Sequence, residues 1–367
     1  MKIISKKNFF YVLKRIDIVV YFLIGMYFFY KFTTYKNFFY LYVNEWAFSE
    51  TLIDYSGGFV RRGFIGFLFS KLAIPVANFP FASFVFYLIS YVHLSYYFLK
   101  KLSHFPLLFR TVCFFSPFGI FYFYSNMNYF FGRRDLLILN LIILLNSQIF
   151  KTDKNNLLLF SFLGTFIIFS YEILILFLPL FWKLLTVSNI KQEIFKKTLF
   201  TLFSFANLLM LFKFSTPSDF NLLCKNISKK REIISLDNLG CWGAPSYLES
   251  GDKSIWIDEV INGLKYNNNF TFWILTFFLL LSFIYLLNHS DKWVLLYQIP
   301  LFFIFFAAQD YGRWFFLIFA TNFICFNNNF EIKKNNKLFV ISFLLIISGL
   351  TLDIPVYLFE EKIFLRF

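Results

Sequence analysis

Apolar residues fill this chain in long blocks, and the polar residues gather in the gaps between them. A helix that crosses a bilayer needs about 20 apolar residues, fewer where it packs inside a bundle. The blocks at 16–35, 79–99, 106–124, 136–150, 157–182, 198–214, 269–288, 293–308, 314–327 and 338–357 fit that description. A membrane β-barrel would give segments of about ten residues with period-two alternation, and the sequence has none. Helices are the remaining way to satisfy a backbone in lipid. The pattern predicts an all-α, polytopic membrane helix bundle, a single membrane domain over residues 1–367.

The lysines orient it. Basic segments at 1–15, 100–104, 151–156, 183–197 and 331–337 read as cytoplasmic, because short inner loops carry the excess of Lys and Arg. They agree with one another only if 157–182 crosses twice, turning near Ser170-Tyr171-Glu172, which brings the total to about 11 spans. A carboxylate in mid-membrane costs several kcal/mol, and an outer turn removes that cost for Glu172. One long helix with Glu172 facing the bundle is the alternative. The outer face then holds 36–78, 125–135, the turn at Glu172, the long loop 215–268 and 309–313. Gly63–Ala77 is apolar but too short to span, and predicts an interfacial or re-entrant helix; Phe39, Val43 and Trp46 are spaced for a second. The first block continues through Tyr30 without a small-residue cleavage site, so it is expected to remain as a span.

Composition strengthens this picture. Charged residues make up 15% of the chain, against about 25% in soluble domains, and the mean hydropathy is +0.63. The 61 phenylalanines suit lipid-facing positions filled by an AT-biased coding sequence, and no function is drawn from them.

Arginine does not follow lysine. Of nine arginines, Arg15 and Arg110 fall on the inner side, whereas seven fall outside, where the charge rule disfavours them. Arg61-Arg62, Arg133-Arg134 and Arg313 each adjoin a span, and each has an acid and a glycine nearby. These groups read Asp54-Tyr-Ser-Gly-Gly-Phe-Val-Arg-Arg-Gly63, Gly132-Arg-Arg-Asp135 and Asp310-Tyr-Gly-Arg313, with Glu45 also in the first outer loop. The guanidinium fork binds phosphate in bidentate fashion and stays charged in any setting. Arginines at membrane level on one face therefore suit a lipid-linked phosphate or pyrophosphate; pairing with local acids or with lipid headgroups is the plainer explanation.

The three histidines are His93, in a span, and His104 and His289, on the inner side, so none serves the arginine face. That weighs against a Ser-His-Asp hydrolase and leaves acid–base work to carboxylates. Cys224 and Cys241 share the 215–268 loop. Outside the cytoplasm such a pair reads as a disulfide; two reduced cysteines in a cytoplasmic loop are the alternative. No Cys/His spacing suggests a metal.

The first outer loop with Glu45 and Asp54, the juxtamembrane helices and about 11 spans resemble the GT-C class of membrane glycosyltransferases. The three arginine motifs, with Tyr171-Glu172, resemble Wzy-type O-antigen or capsular polysaccharide repeat-unit polymerases. The resemblance implies a donor sugar on undecaprenyl (pyro)phosphate and a glycan acceptor at the periplasmic face of the bacterial inner membrane. Arg61, Arg62, Arg133, Arg134 and Arg313 would hold the (pyro)phosphate. Asp54 or Glu172 would be the general base, its pKa raised by partial burial, with Glu45, Asp135 and Asp310 in support. The first outer loop has no Asp-x-Asp pair, and neither metal nor cofactor is expected. Membrane lipids and other polysaccharide assembly proteins are the expected partners, and nucleic acid is not. A single-sugar transferase of the GT-C class, a flippase for lipid-linked glycan and a non-catalytic envelope scaffold are the rival readings.

Overall fold

A computed structural model describes residues 49, 51–59, 63–103, 105, 107–125, 133–146, 172–184, 190–213, 216–234, 270–287, 297–306, 311–325 and 336–351. All belong to the larger of two compact units, Asn44–Phe367; the smaller, Met1–Val43, lies outside the described residues, as do the expected first span and the helix around Trp46. The described residues form helices and no strand.

Most of the helices follow the apolar blocks. The helices are α1 (Phe64–Lys71), α2 (Phe79–Leu102), α3 (Leu107–Phe115), α4 (Ile120–Ser125), α5 (Asp135–Asn146), α6 (Leu178–Leu184), α7 (Ile190–Lys213), α8 (Phe220–Ile233), α9 (Phe270–Leu287), α10 (Ile299–Phe302), α11 (Tyr311–Cys325) and α12 (Asn336–Thr351). By contrast, α8 forms within the polar 215–268 loop and α7 begins in the basic 183–197 segment. Short 3₁₀ turns occupy Val76–Asn78, Glu172–Phe177 and Phe303–Phe306. Among the described residues, one helical stretch, Val76–Leu102, is long and apolar enough to cross a membrane; shorter apolar helices accompany it.

Two differences from the expected blocks have local causes. The 106–124 block is two helices, because Pro117 lacks an N–H and the chain turns at Ser116–Gly119, where Gly119 N donates to Ser116 O at 2.8 Å. The Glu172–Phe177 segment is 3₁₀, directly after the expected turn near Ser170-Tyr171-Glu172, of which Ser170 and Tyr171 lie outside the described residues. The 64–77 stretch is helical only to Lys71. It stops in a Schellman-type turn, with Ile74 N donating to Phe69 O at 3.1 Å and Ala73 at φ 54°.

Helix α11 is the centre. Every residue from Tyr311 to Ile324 is buried, the condition of a helix that is apolar all round and enclosed by others. It packs on α5, α9 and α4, and α5 packs in turn on α2. Phe98, Phe123, Phe316, Phe319 and Phe323 build an aromatic seam between α2, α4 and α11, with Phe123 stacked on Phe316 at 5.0 Å. A buried amide pair, Gln298 with Asn322, exchanges hydrogen bonds at 2.7 and 2.6 Å and pins α11 to the start of α10. Helix α12 lies on α3 so closely that Gly349 abuts the carbonyl of Phe115.

The outward faces are apolar too. Helix α2 exposes Phe81, Ile89, Val92 and Tyr96, and α12 exposes Val340, Phe343, Leu344 and Ile347, the 3–4 spacing of a single stripe. Helices α7 and α9 do the same with Leu202, Phe205 and Leu209 and with Ile274, Leu275 and Phe278.

Helices α2, α5 and α11 run in the same sense, so the bundle has two chemically distinct ends. Where they finish, Lys101 Nζ and Asn146 Nδ2 each donate to Ile324 O at 2.7 Å, meeting the carbonyl end of α11. Lys101 is 6% exposed, and its cationic head in this position rests on the rings of Tyr97 and Phe323. Where α5 and α11 begin, the charged residues are arginine and aspartate.

Candidate functional site: the arginine end

Arg133 and Arg134 precede α5, and Asp135 is its first residue, where a carboxylate suits the positive end of the helix dipole. Arg313 sits in the first turn of α11. Because α5 and α11 pack side by side with their starts together, Arg313 Nε comes within 3.1 Å of Asp135 Oδ2. Both side chains are almost wholly buried, at 5% and 2% exposure. The Arg313 guanidinium also lies 4.0 Å over the Trp314 ring. Arg133 and Arg134 are buried beside them, and all four charged residues have further interactions. Two arginine motifs some 180 residues apart in sequence thus meet.

The third motif supplies Tyr55. Arg134 is near enough for its charge to act on the Tyr55 phenol, yet burial dominates and pushes that phenol up to about 12. The phenol is therefore protonated under all physiological conditions, and its hydroxyl has no hydrogen-bond partner among the described residues. The Tyr55 ring stacks on Phe59 at 4.8 Å and packs on Phe67 and on Gly63, so the loop leaves Asp54 and returns beside it. Tyr55 was not among the residues expected from sequence. The signal was its place between an acid and the Gly-Gly pair.

Asp54 differs from expectation. It was expected to be a base of raised pKa. Burial does act in that direction and is the largest single influence, but the hydrogen bonds from Lys230 and Ser56, with the charge of Lys230, outweigh it and hold the carboxyl below 3.8. Lys230 Nζ lies 2.5 Å from Asp54 Oδ2, and Ser56 N donates to Asp54 Oδ1 at 2.9 Å. Asp54 is thus a fixed anion that shapes its loop. Lys230 is the partner that sequence reading missed, because it lies 176 positions away.

The sign of this shift fixes a pH dependence. A depressed carboxyl pKa stabilises the fold above 3.8, the unfolded value, and the contribution disappears as pH falls through the lower folded value. Thermal unfolding in detergent between pH 6 and pH 3 should therefore lose stability mainly below pH ~4, and Asp54→Asn should flatten that part of the profile. An unchanged profile in the variant would contradict the ion pair.

The remaining expected site residues divide in two. Glu172 opens a 3₁₀ turn that packs near α10 and the 3₁₀ turn Phe303–Phe306, its side chain being outside the description. Glu45, Arg61, Arg62 and Asp310 lie outside the described residues. Cys224 is disulfide-bonded, whereas Cys113 and Cys325 are free; its expected partner Cys241 lies outside the described residues. Among the described residues, no cluster of three or more His, Cys, Asp or Glu is placed to hold a metal ion. Comparison with protein-family models, with curated proteins and with solved structures finds no match to this chain.

Proposed function

We propose that this chain is a multi-pass membrane glycosyltransferase whose arginine end works on a sugar carried by a polyprenyl (pyro)phosphate, polymerising glycan repeat units. The observation that carries the reading is the buried pairing of Arg313 with Asp135, next to the buried Arg133 and Arg134, which joins two separate motifs at the end of the bundle opposite Lys101.

The apolar stripes on α2, α7, α9 and α12 support a membrane setting. Contiguous exposed apolar surface on this scale is costly in water and ordinary against lipid tails. The shared direction of α2, α5 and α11 accords with a topology of about 11 spans, lysine end inside and arginine end at the extracytoplasmic face of a bacterial inner membrane.

The chemistry asks for few parts. A sugar on a pyrophosphate already carries a good leaving group, so the enzyme must orient an acceptor hydroxyl and stabilise the departing charge. Arg133, Arg134 and Arg313, joined by Arg61 and Arg62, supply guanidinium forks, and the protonated Tyr55 hydroxyl supplies a further donor. Asp135 orients Arg313. With Asp54 engaged by Lys230, Glu172 is the carboxylate assigned to take the acceptor proton.

The test is glycan length in cells whose native copy is replaced. Arg133→Lys and Arg134→Lys keep the charge and lose the fork; each should shorten the polymer and accumulate single repeat units on the lipid carrier. Normal length in cells carrying both substitutions, with the protein present in the membrane at its usual level, would sink the proposal.

A further inference from the structure

The first helix of the long 215–268 loop, α8, is bound to the segment that carries Asp54 and Tyr55. Ser218 Oγ and Asp219 N both donate to Gly57 O at 2.9 Å. Asp219 also caps α8, accepting from Leu222 N at 2.9 Å. Eleven residues further on, about 16 Å along the helix, Lys230 Nζ donates to Leu52 O at 3.0 Å as well as to Asp54. Along the same helix Leu223, Ile227 and Arg231 form a buried stripe with a spacing of four. The fit at Gly57 is tight: a Cβ there would meet Asp219 O at 2.3 Å and Leu223 Cβ at 2.8 Å. Gly58, at φ +97°, takes a backbone shape that side chains rarely adopt, and a Cβ there would meet Ser218 Oγ at 2.1 Å.

We infer that α8 is a clamp on the 52–58 segment, with Lys230 as its positioning residue, so that a helix from one loop sets where the Tyr55 hydroxyl stands relative to Arg134. This rests on the reading of the arginine end as the glycan-transfer site. Lys230 does the holding at one end of the segment and the Ser218-Asp219 cap at the other. The disulfide at Cys224 ties the middle of α8 covalently. The surface that α8 turns outward carries Lys225, Lys229 and Glu232 together with the apolar Leu222 and Ile233.

A buried cysteine probe reads the clamp directly. Ile53, fully buried between the two residues that Lys230 holds, is replaced with cysteine, and its maleimide labelling is followed by mass spectrometry on the detergent-purified full chain. Lys230→Met should raise the labelling rate about tenfold by favouring local opening. Lys230→Arg should leave it near the wild-type rate, and the exchange Asp54→Lys with Lys230→Asp should bring it most of the way back. Glycan length should fall with Lys230→Met and recover in the exchanged pair. Labelling that Lys230→Met does not change overturns the clamp, whatever happens to the glycan. Faster labelling with normal glycan length supports the clamp and counts instead against this end as the transfer site.

Discussion

Arg313→Ala should destabilise the folded protein by about 3–5 kcal/mol, the cost typical of breaking a buried ion pair. Its guanidinium lies against Asp135 with both side chains almost wholly buried, so deletion removes the cation closest to a buried carboxylate. Asp135→Ala should cost a similar amount for the mirror-image reason. An apolar replacement of both, Arg313→Met with Asp135→Leu, should recover much of the stability, since well-packed hydrophobic residues often do as well as a buried pair. It should not recover glycan transfer, because the fork is gone. Thermal unfolding of the four proteins in one detergent gives the double-mutant cycle. Additive losses with no coupling would show that Arg313 and Asp135 do not act as a pair.

The second large effect is steric. Gly349→Ala places a methyl group 1.3 Å from the carbonyl oxygen of Phe115, closer than any real contact, and that oxygen belongs to backbone. Helix α12 must therefore move off α3, beside the break at Ser116-Pro117. Overpacking of this kind costs typically ~1–3 kcal/mol, and Gly349→Leu should lower expression outright. Gly349→Ser should behave like alanine, because the clash is at Cβ. A thermal midpoint for Gly349→Ala equal to the wild type would contradict the close approach of α3 and α12.

Local pattern reports some of this architecture and is blind to the rest. The apolar blocks of α2, α7, α9, α11 and α12 are long and strongly biased, and the helices α2, α9 and α11 end within a few residues of the block ends. Helix α7 instead starts eight residues early and takes in basic residues from 190 onward, and α12 is described to Thr351, six residues short of its block's end. Breaks set by a single residue, such as Pro117, were written in the sequence but overridden by the apolar run around them. Lys101 and the pair Arg313–Asp135, which the sequence puts in separate segments, stand at opposite ends of α2, α5 and α11. What could not be read was pairing. Arg313 with Asp135, and Lys230 with Asp54, join residues far apart in the chain, and no periodicity links them. The same blindness made Asp54 look like a base: its neighbours in sequence suggested partial burial, and the lysine that reverses the effect of burial comes from α8.

Binding of undecaprenyl pyrophosphate to the purified protein in detergent, followed by native mass spectrometry, bears most directly on the arginine end as a lipid-pyrophosphate site. The wild-type chain should retain one lipid. Arg134→Lys should retain it at least about tenfold more weakly, as loss of a bidentate contact implies, with an unfolding midpoint near that of the wild type. No retention by the wild type, or equal retention by Arg134→Lys and the wild type, would contradict a pyrophosphate site at the arginine end.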